Sequence, residues 1–269
     1  MILAVDQGTS GGTGASSTLA ARLDAHCAAL AACRRCAAEL PRGALPVIPE
    51  SRAPRAMLIG QAPGPTEATV RRPFQGRAGK TLFRWLARAG LDEAAAREFF
   101  WIAAVTRCYP GPHAGGRGDR LPTAGERARC APWLEAELAL VRPALVVTLG
   151  RLATDRFLPP APLAALVGRV HGAAVGGRVV PVLPLPHPSG ASGWLNEPAH
   201  RALLDRALDA LAREVRRARP QPARRCRGVR AGSRGPERAR TAPNAATRVL
   251  VASCEQKRRC ARDVESPKY

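Results

Sequence analysis

The sequence predicts an α/β protein built on a mainly parallel sheet with helices on both faces. Two observations carry this. Short apolar runs alternate along the chain with longer segments of helical periodicity, the order that stacks helices against a parallel sheet. Most of those runs also end abruptly in Gly or Pro, as buried strands do when they give way to tight loops.

The elements follow in order. Residues 1–18 read as a flexible leader without the basic start and apolar core of a secretory signal. Residues 18–38 are Ala- and Leu-rich with helical periodicity, and Thr18 is placed to cap them. The first strand is expected over 55–60, closing in the loop Gly60-Gln61-Ala62-Pro63-Gly64. A helix over 79–89 stops at Gly90, and a second strand covers 99–106. A Gly-rich loop over 111–119 then leads into a helix over 123–140, where Thr123 and Glu126 have the spacing of a capping box. The third strand is 144–149, ended by Gly150, with a helix from Arg151. The fourth is 178–185, ended by Pro186-His187-Pro188, and a last helix covers 199–215. From Arg216 onward Pro, Gly, Ser and Arg dominate with little apolar periodicity, the composition of a disordered tail. The chain therefore divides into a leader (1–18), a domain (19–215) and a basic tail (216–269).

Charge narrows the choice of partner. The chain holds 42 Lys+Arg against 21 Asp+Glu, a net +21. Residues 213–269 carry 17 basic against 5 acidic residues, and the remainder still carries 25 against 16. A core this basic favours a polyanion such as nucleic acid, whose counterions are released on binding. An Arg- and Ala-heavy composition also arises from base composition alone, so charge does not decide the matter by itself. No stretch reaches the roughly 20 apolar residues of a membrane span. A soluble, cytoplasmic, nucleoid-associated protein of bacterial type is expected, with its eight cysteines as thiols or metal ligands rather than disulfides.

Cys33 and Cys36 form a C-x2-C pair; Cys108 follows the second strand and Cys130 lies in the helix after the Gly-rich loop. Four thiolates from three segments suit Zn²⁺ or an iron–sulfur cubane, and spacing does not choose between them. Cys27, Cys226, Cys254 and Cys260 have no comparable context.

Five segments converge in order on one family: the Gly60–Gly64 loop, Arg72-Pro73-Phe74-Gln75-Gly76-Arg77-Ala78-Gly79, Val105-Thr106-Arg107-Cys108, Val146-Val147-Thr148-Leu149-Gly150 and Leu185-Pro186-His187-Pro188-Ser189-Gly190. Over residues 27–212 the chain resembles the iron–sulfur (family 4) class of the uracil-DNA glycosylase superfamily. The resemblance implies a three-layer α/β/α sandwich around a four-stranded parallel sheet. It implies a [4Fe–4S] cluster on Cys33, Cys36, Cys108 and Cys130, and DNA with a deaminated base as the partner of a monomer.

It also implies roles for residues. Phe74 would stack on a flipped base beside Gly60, Ala62, Pro63 and Gly64, and His187 would hydrogen-bond the leaving base. Ser189 and Gly190 would hold a flanking phosphate, Trp194 or Leu195 would enter the duplex or pack on the last helix, and Arg77 would face DNA. Arg71, Arg72, Lys80, Arg84 and Arg107 are further candidates for phosphate contact. Two departures bear on chemistry. Gln61 stands where the family has a Glu that activates or positions water, and Ala104 where it has an Asn that reads the base edge. Gln cannot act as a general base at neutral pH, so Glu67 and Asp119 are the candidate replacement carboxylates. Three readings follow: a glycosylase acting on uracil or another deaminated base, a lesion binder without turnover, and a structural zinc protein that binds nucleic acid.

Overall fold

The computed structural model describes residues 18–115, 118–189 and 193–219. The leader before Thr18, Gly190 and the tail from residue 220 lie outside the described residues. The chain order is α1 (Leu19–Ala31), β1 (Ala56–Gly60), α2 (Pro65–Val70), α3 (Arg77–Arg88), α4 (Glu93–Phe99), β2 (Phe100–Ala104) and α5 (Ala124–Val141). There follow β3 (Val146–Leu149), α6 (Arg151–Thr154), α7 (Leu163–Leu166), β4 (His171–Val175), β5 (Arg178–Leu185) and α8 (Pro198–Ala218).

The strands form one sheet in the order β2-β1-β3-β5-β4. β2, β1, β3 and β5 are parallel neighbours, giving the four parallel strands expected. A fifth strand, β4, joins the edge antiparallel to β5, which the sequence reading missed. Its cause is local: Gly176 and Gly177 both have positive φ and close a two-residue hairpin between Val175 and Arg178.

Alternation along the strands sorts side chains into two cores. Leu58, Phe100, Ile102, Val147 and Leu183 face a layer made by α3, α4 and α8, with Leu82, Leu86, Leu204, Leu208 and Leu211. Met57, Ile59, Trp101, Val146 and Val182 face the opposite layer, with Leu23 from α1 and Leu134 and Leu138 from α5. Helices thus cover both faces of the sheet, and its inner strands are largely apolar because neither face meets water.

Most elements hold, but several ends shift by one or two residues, the short helices α4 and α7 were not expected, and three differences are larger. Thr18 caps α1 as expected, accepting from the Ala21 amide at 3.3 Å, but the helix ends at Ala31 rather than at residue 38. Arg34 turns back onto the carbonyls of Ala31 and Cys33, at 2.9 Å each, which satisfies acceptors at the helix end. Cys33 and Cys36 consequently lie in turns beyond the helix. The capping box of α5 is present, with Thr123 Oγ1 accepting from the Glu126 amide and Glu126 Oε2 from the Thr123 amide. α8 continues to Ala218, three residues into the stretch read as tail, and α2 is a short helix where a plain loop was expected. Among the described residues no helix is long and apolar enough to cross a membrane.

After β1 the chain adds β2 on one side and β3 on the other. Strand order therefore reverses at β1, and in open α/β sheets the crevice at the carboxyl ends of such strands is where ligands bind.

Candidate functional site

A pocket of about 780 Å³ opens at that crevice. Gly60, Gln61, Ala62, Pro63 and Gly64 line it after β1, Ala104 and Thr106 after β2, and His187 and Ser189 after β5. Glu67, Phe74, Arg77 and Asp119 complete the wall. The residues named from sequence for the base and its cleavage therefore meet in one place, with Arg77 and Ser189 beside them.

Phe74 is held there by its backbone. Its φ is +53°, in the left-handed region that non-glycine residues seldom occupy. The carbonyl of Phe74 lies where a Cβ on Gly79 would stand, only 1.9 Å from that position, so a glycine at the start of α3 is obligatory. On the other side the ring edge comes within 3.3 Å of a Cβ built on Gly60. Buried Arg97 donates to the Pro73 carbonyl at 3.1 Å and braces the same loop. The half-buried ring closes one side of the pocket.

The two candidate carboxylates differ in what engages them. Both oxygens of buried Glu67 accept backbone N–H groups: Gly64 donates to Oε2 at 3.1 Å and Gly76 to Oε1 at 2.8 Å. Glu67 thus ties the first loop to the Phe74 loop. Asp119 accepts from the Tyr109 hydroxyl through Oδ1 at 3.1 Å, while Oδ2 lies 3.5 Å from a Cβ built on Gly64 and faces the first loop. Its strand-like bridge to Pro112, with the His113–Gly118 and Arg120–Gly111 backbone bonds, pins the base of the Gly-rich loop.

His187 is held for hydrogen bonding. The Ser189 amide donates to Nδ1 at 3.3 Å and the Ser189 hydroxyl lies 2.8 Å from the same nitrogen. With Nδ1 an acceptor, the neutral ring carries its proton on Nε2. Burial pulls His187 below the usual imidazole range, with the charge of Asp119 pulling the other way, so the ring is neutral at neutral pH. Gly150, at φ +80°, gives it room, since a Cβ there would stand 3.2 Å from His187 Cβ.

Other predicted residues fall elsewhere. Trp194 stacks on His200 with ring centroids 4.1 Å apart, and Trp194 and Leu195 pack against the core on the α8 side. Arg72 pairs with Glu50 at 2.6 Å, and Arg84 donates to Thr81. Arg107, expected at a phosphate, is 3% exposed and ion-paired with the fully buried Glu137, which also takes His26 at 3.2 Å. Sequence reasoning missed Leu121, 63% exposed at the pocket edge.

A second cavity is bordered by Cys33, Cys36, Cys108 and Cys130, all free thiols. Burial, and then the neighbouring Cys130, Cys33 and Cys36, push the Cys108 thiol up to about 12, so without a metal it keeps its proton. Among the described residues no three His, Cys, Asp or Glu side chains are gathered as ligands of a single metal ion. The donor chemistry nevertheless fits a thiolate-bound centre, because buried donors without partners collect here. Thr106 Oγ1, Arg107 Nε, Arg129 Nε and Trp133 Nε1 belong to residues bordering this cavity. Thr106, Arg107 and Pro110 border both cavities.

Fold and site together define an α/β sandwich with a pocket at the switch point of its sheet and a cysteine-lined cavity beside it. The model of the uracil DNA glycosylase superfamily matches residues 49–220, so the chain belongs to that superfamily. It is similar to the Type-4 uracil-DNA glycosylase of Thermotoga maritima, 32% identical over 138 residues, covering 50% of this chain and 65% of the relative. It is also similar to the proteins of that name from Archaeoglobus fulgidus, 32% identical with 49% and 64% covered, and Saccharolobus solfataricus, 31% identical with 55% and 65% covered. The matched stretches thus span just under two thirds of these relatives.

Proposed function

We propose that the protein hydrolyses the N-glycosidic bond of uracil, or another deaminated base, in DNA and leaves an abasic site. One observation carries this: Phe74, His187, Asp119 and the Gly60–Gly64 loop, from four separate segments, line a single pocket at the switch point of the sheet. The base leaves the stack, enters the pocket and lies against Phe74. His187 Nε2–H donates to a carbonyl oxygen of the base as negative charge develops there. Asp119, whose Oδ2 faces the first loop, orients a water toward the sugar C1′ and takes its proton, with Gln61 as a further polar partner. Water oxygen bonds to C1′ as the C1′–N bond breaks, and the electron pair leaves with the base. Ser189 and Arg77 at the rim, and Gly190 beyond Ser189, contact flanking phosphates, and exposed Leu121 enters the gap left by the flipped base.

Cys33, Cys36, Cys108 and Cys130 hold a [4Fe–4S] cluster in this reading. It ties the turns after α1 to the loop after β2 and to α5, and takes no part in cleavage. The domain acts on DNA as a monomer in a bacterial-type cytoplasm.

Gln61 and Ala104 in place of Glu and Asn favour one rival, a lesion binder without turnover. Alkali treatment of a uracil-containing single strand after incubation with anaerobically purified protein separates the two. Strand scission is expected; tight binding with no scission would support the binder.

A further inference from the structure

Buried side-chain donors without a partner are rare in folded proteins and call for an explanation. Seven buried side-chain polar atoms among the described residues lack one. Four of them belong to residues bordering the cysteine cavity: Thr106 Oγ1, Arg107 Nε, Arg129 Nε and Trp133 Nε1. A fifth is Arg71 Nε, on a side chain whose charge acts on Cys108 and whose other nitrogen is fixed to the Pro46 carbonyl at 2.9 Å. Arg107 is ion-paired with Glu137 and Arg129 with Glu39, yet the buried Nε of each has no partner, which a bound anion among the thiols would supply.

We propose that Arg71, Thr106, Arg107, Arg129 and Trp133 form a hydrogen-bonding, cationic shell around the sulfur atoms of the bound iron–sulfur cluster, and hold its reduction potential up. The proposal rests on the cluster reading above. A cubane on four thiolates is a net dianion in its resting state and gains a further negative charge on reduction. Hydrogen bonds to its sulfurs and nearby net charge are among the levers that set its potential. Donors and cations stabilise the more negative, reduced form more, so losing them lowers the potential. Arg107 is already committed to Glu137 through a buried ion pair, and the free Nε of the same guanidinium serves the cluster. The outer pairing thereby orients the inner donor, as the second layer of a metal site does.

The test is an optical redox titration of the full-length protein, purified without oxygen and with its iron content measured. Arg129→Met, Trp133→Phe and their double variant are compared with wild type and with Arg169→Met, an exposed arginine that borders neither cavity. The midpoint potential is expected to move negative in both single variants and further in the double, and to stay put in Arg169→Met. Trp133→Phe keeps the ring while deleting its N–H, so it decides the matter where Arg129→Met fails to load iron. In the reduced wild type, exchangeable-proton couplings by electron–nuclear double resonance are expected to weaken in Trp133→Phe. Full iron content with unmoved potentials in Trp133→Phe and the double variant would overturn the shell. Colourless, iron-free wild-type protein would overturn the cluster reading and the shell with it.

Discussion

Asp119 and Glu67 are two carboxylates on one pocket with different work to do. Glu67 spends both oxygens on the Gly64 and Gly76 amides, whereas Asp119 has one oxygen on Tyr109 and the other toward the first loop. Glu67→Gln is therefore expected to destabilise the fold by about 1.5–3 kcal/mol, the worth of a hydrogen bond to a charged group, read by denaturant unfolding. Asp119→Asn is expected to leave unfolding nearly unmoved and lower base release about 10²-fold or more, the usual contribution of a positioned base. It also has a titration signature. Burial holds His187 below its ordinary range while the Asp119 charge raises it. Removing that charge disfavours the imidazolium, so the His187 titration followed by NMR is expected to shift to still lower pH in Asp119→Asn. An unshifted titration would mean that the two side chains do not share the pocket.

At the scale of elements, the Phe74 loop and the first turn of α3 behave as one piece. A methyl group at Gly79 would meet the Phe74 carbonyl, which is loop backbone and not the end of a flexible side chain that could yield. Gly79→Ala is expected to cost more than about 4 kcal/mol, beyond the usual range for a point change, or to displace the loop and abolish base binding; thermal unfolding and lesion binding distinguish the two. The four parallel strands and the capped starts of α1 and α5 were legible in the sequence because apolar runs and capping residues act locally. β4 was not, because three of its five residues are Gly or Ala; the Gly176-Gly177 pair was the available signal. The end of α1 was hidden as well, since Ala- and Arg-rich residues 32–38 suit a helix until Arg34 folds back on its end. Of the site, the motif residues were legible as a set. The division of labour between Glu67 and Asp119 was not, because it depends on amides brought together by folding. Arg107 was misjudged for the same reason: its partner Glu137 lies 30 residues away.

Across the whole molecule, the pocket and the cysteine cavity share the wall Thr106, Arg107 and Pro110. Behind that wall stands the buried His26–Glu137–Arg107 group. Glu137→Ala leaves Arg107 buried without its counter-charge and is expected to cost about 3–5 kcal/mol, read by denaturant unfolding. Serine at Cys33, Cys36, Cys108 or Cys130 is expected to remove iron and colour together, whereas serine at Cys27, which does not border the cavity, keeps both. Under the proposed function the pocket breaks a glycosidic bond. Mass spectrometry of the free base, released from single-stranded and mismatched oligonucleotides carrying uracil, hypoxanthine or xanthine, tests it most directly. Wild-type protein is expected to release at least one of these bases, with release reduced about 10²–10³-fold in His187→Ala, the usual loss for one charge-stabilising donor. No free base from folded, iron-loaded protein on any of these substrates would contradict it.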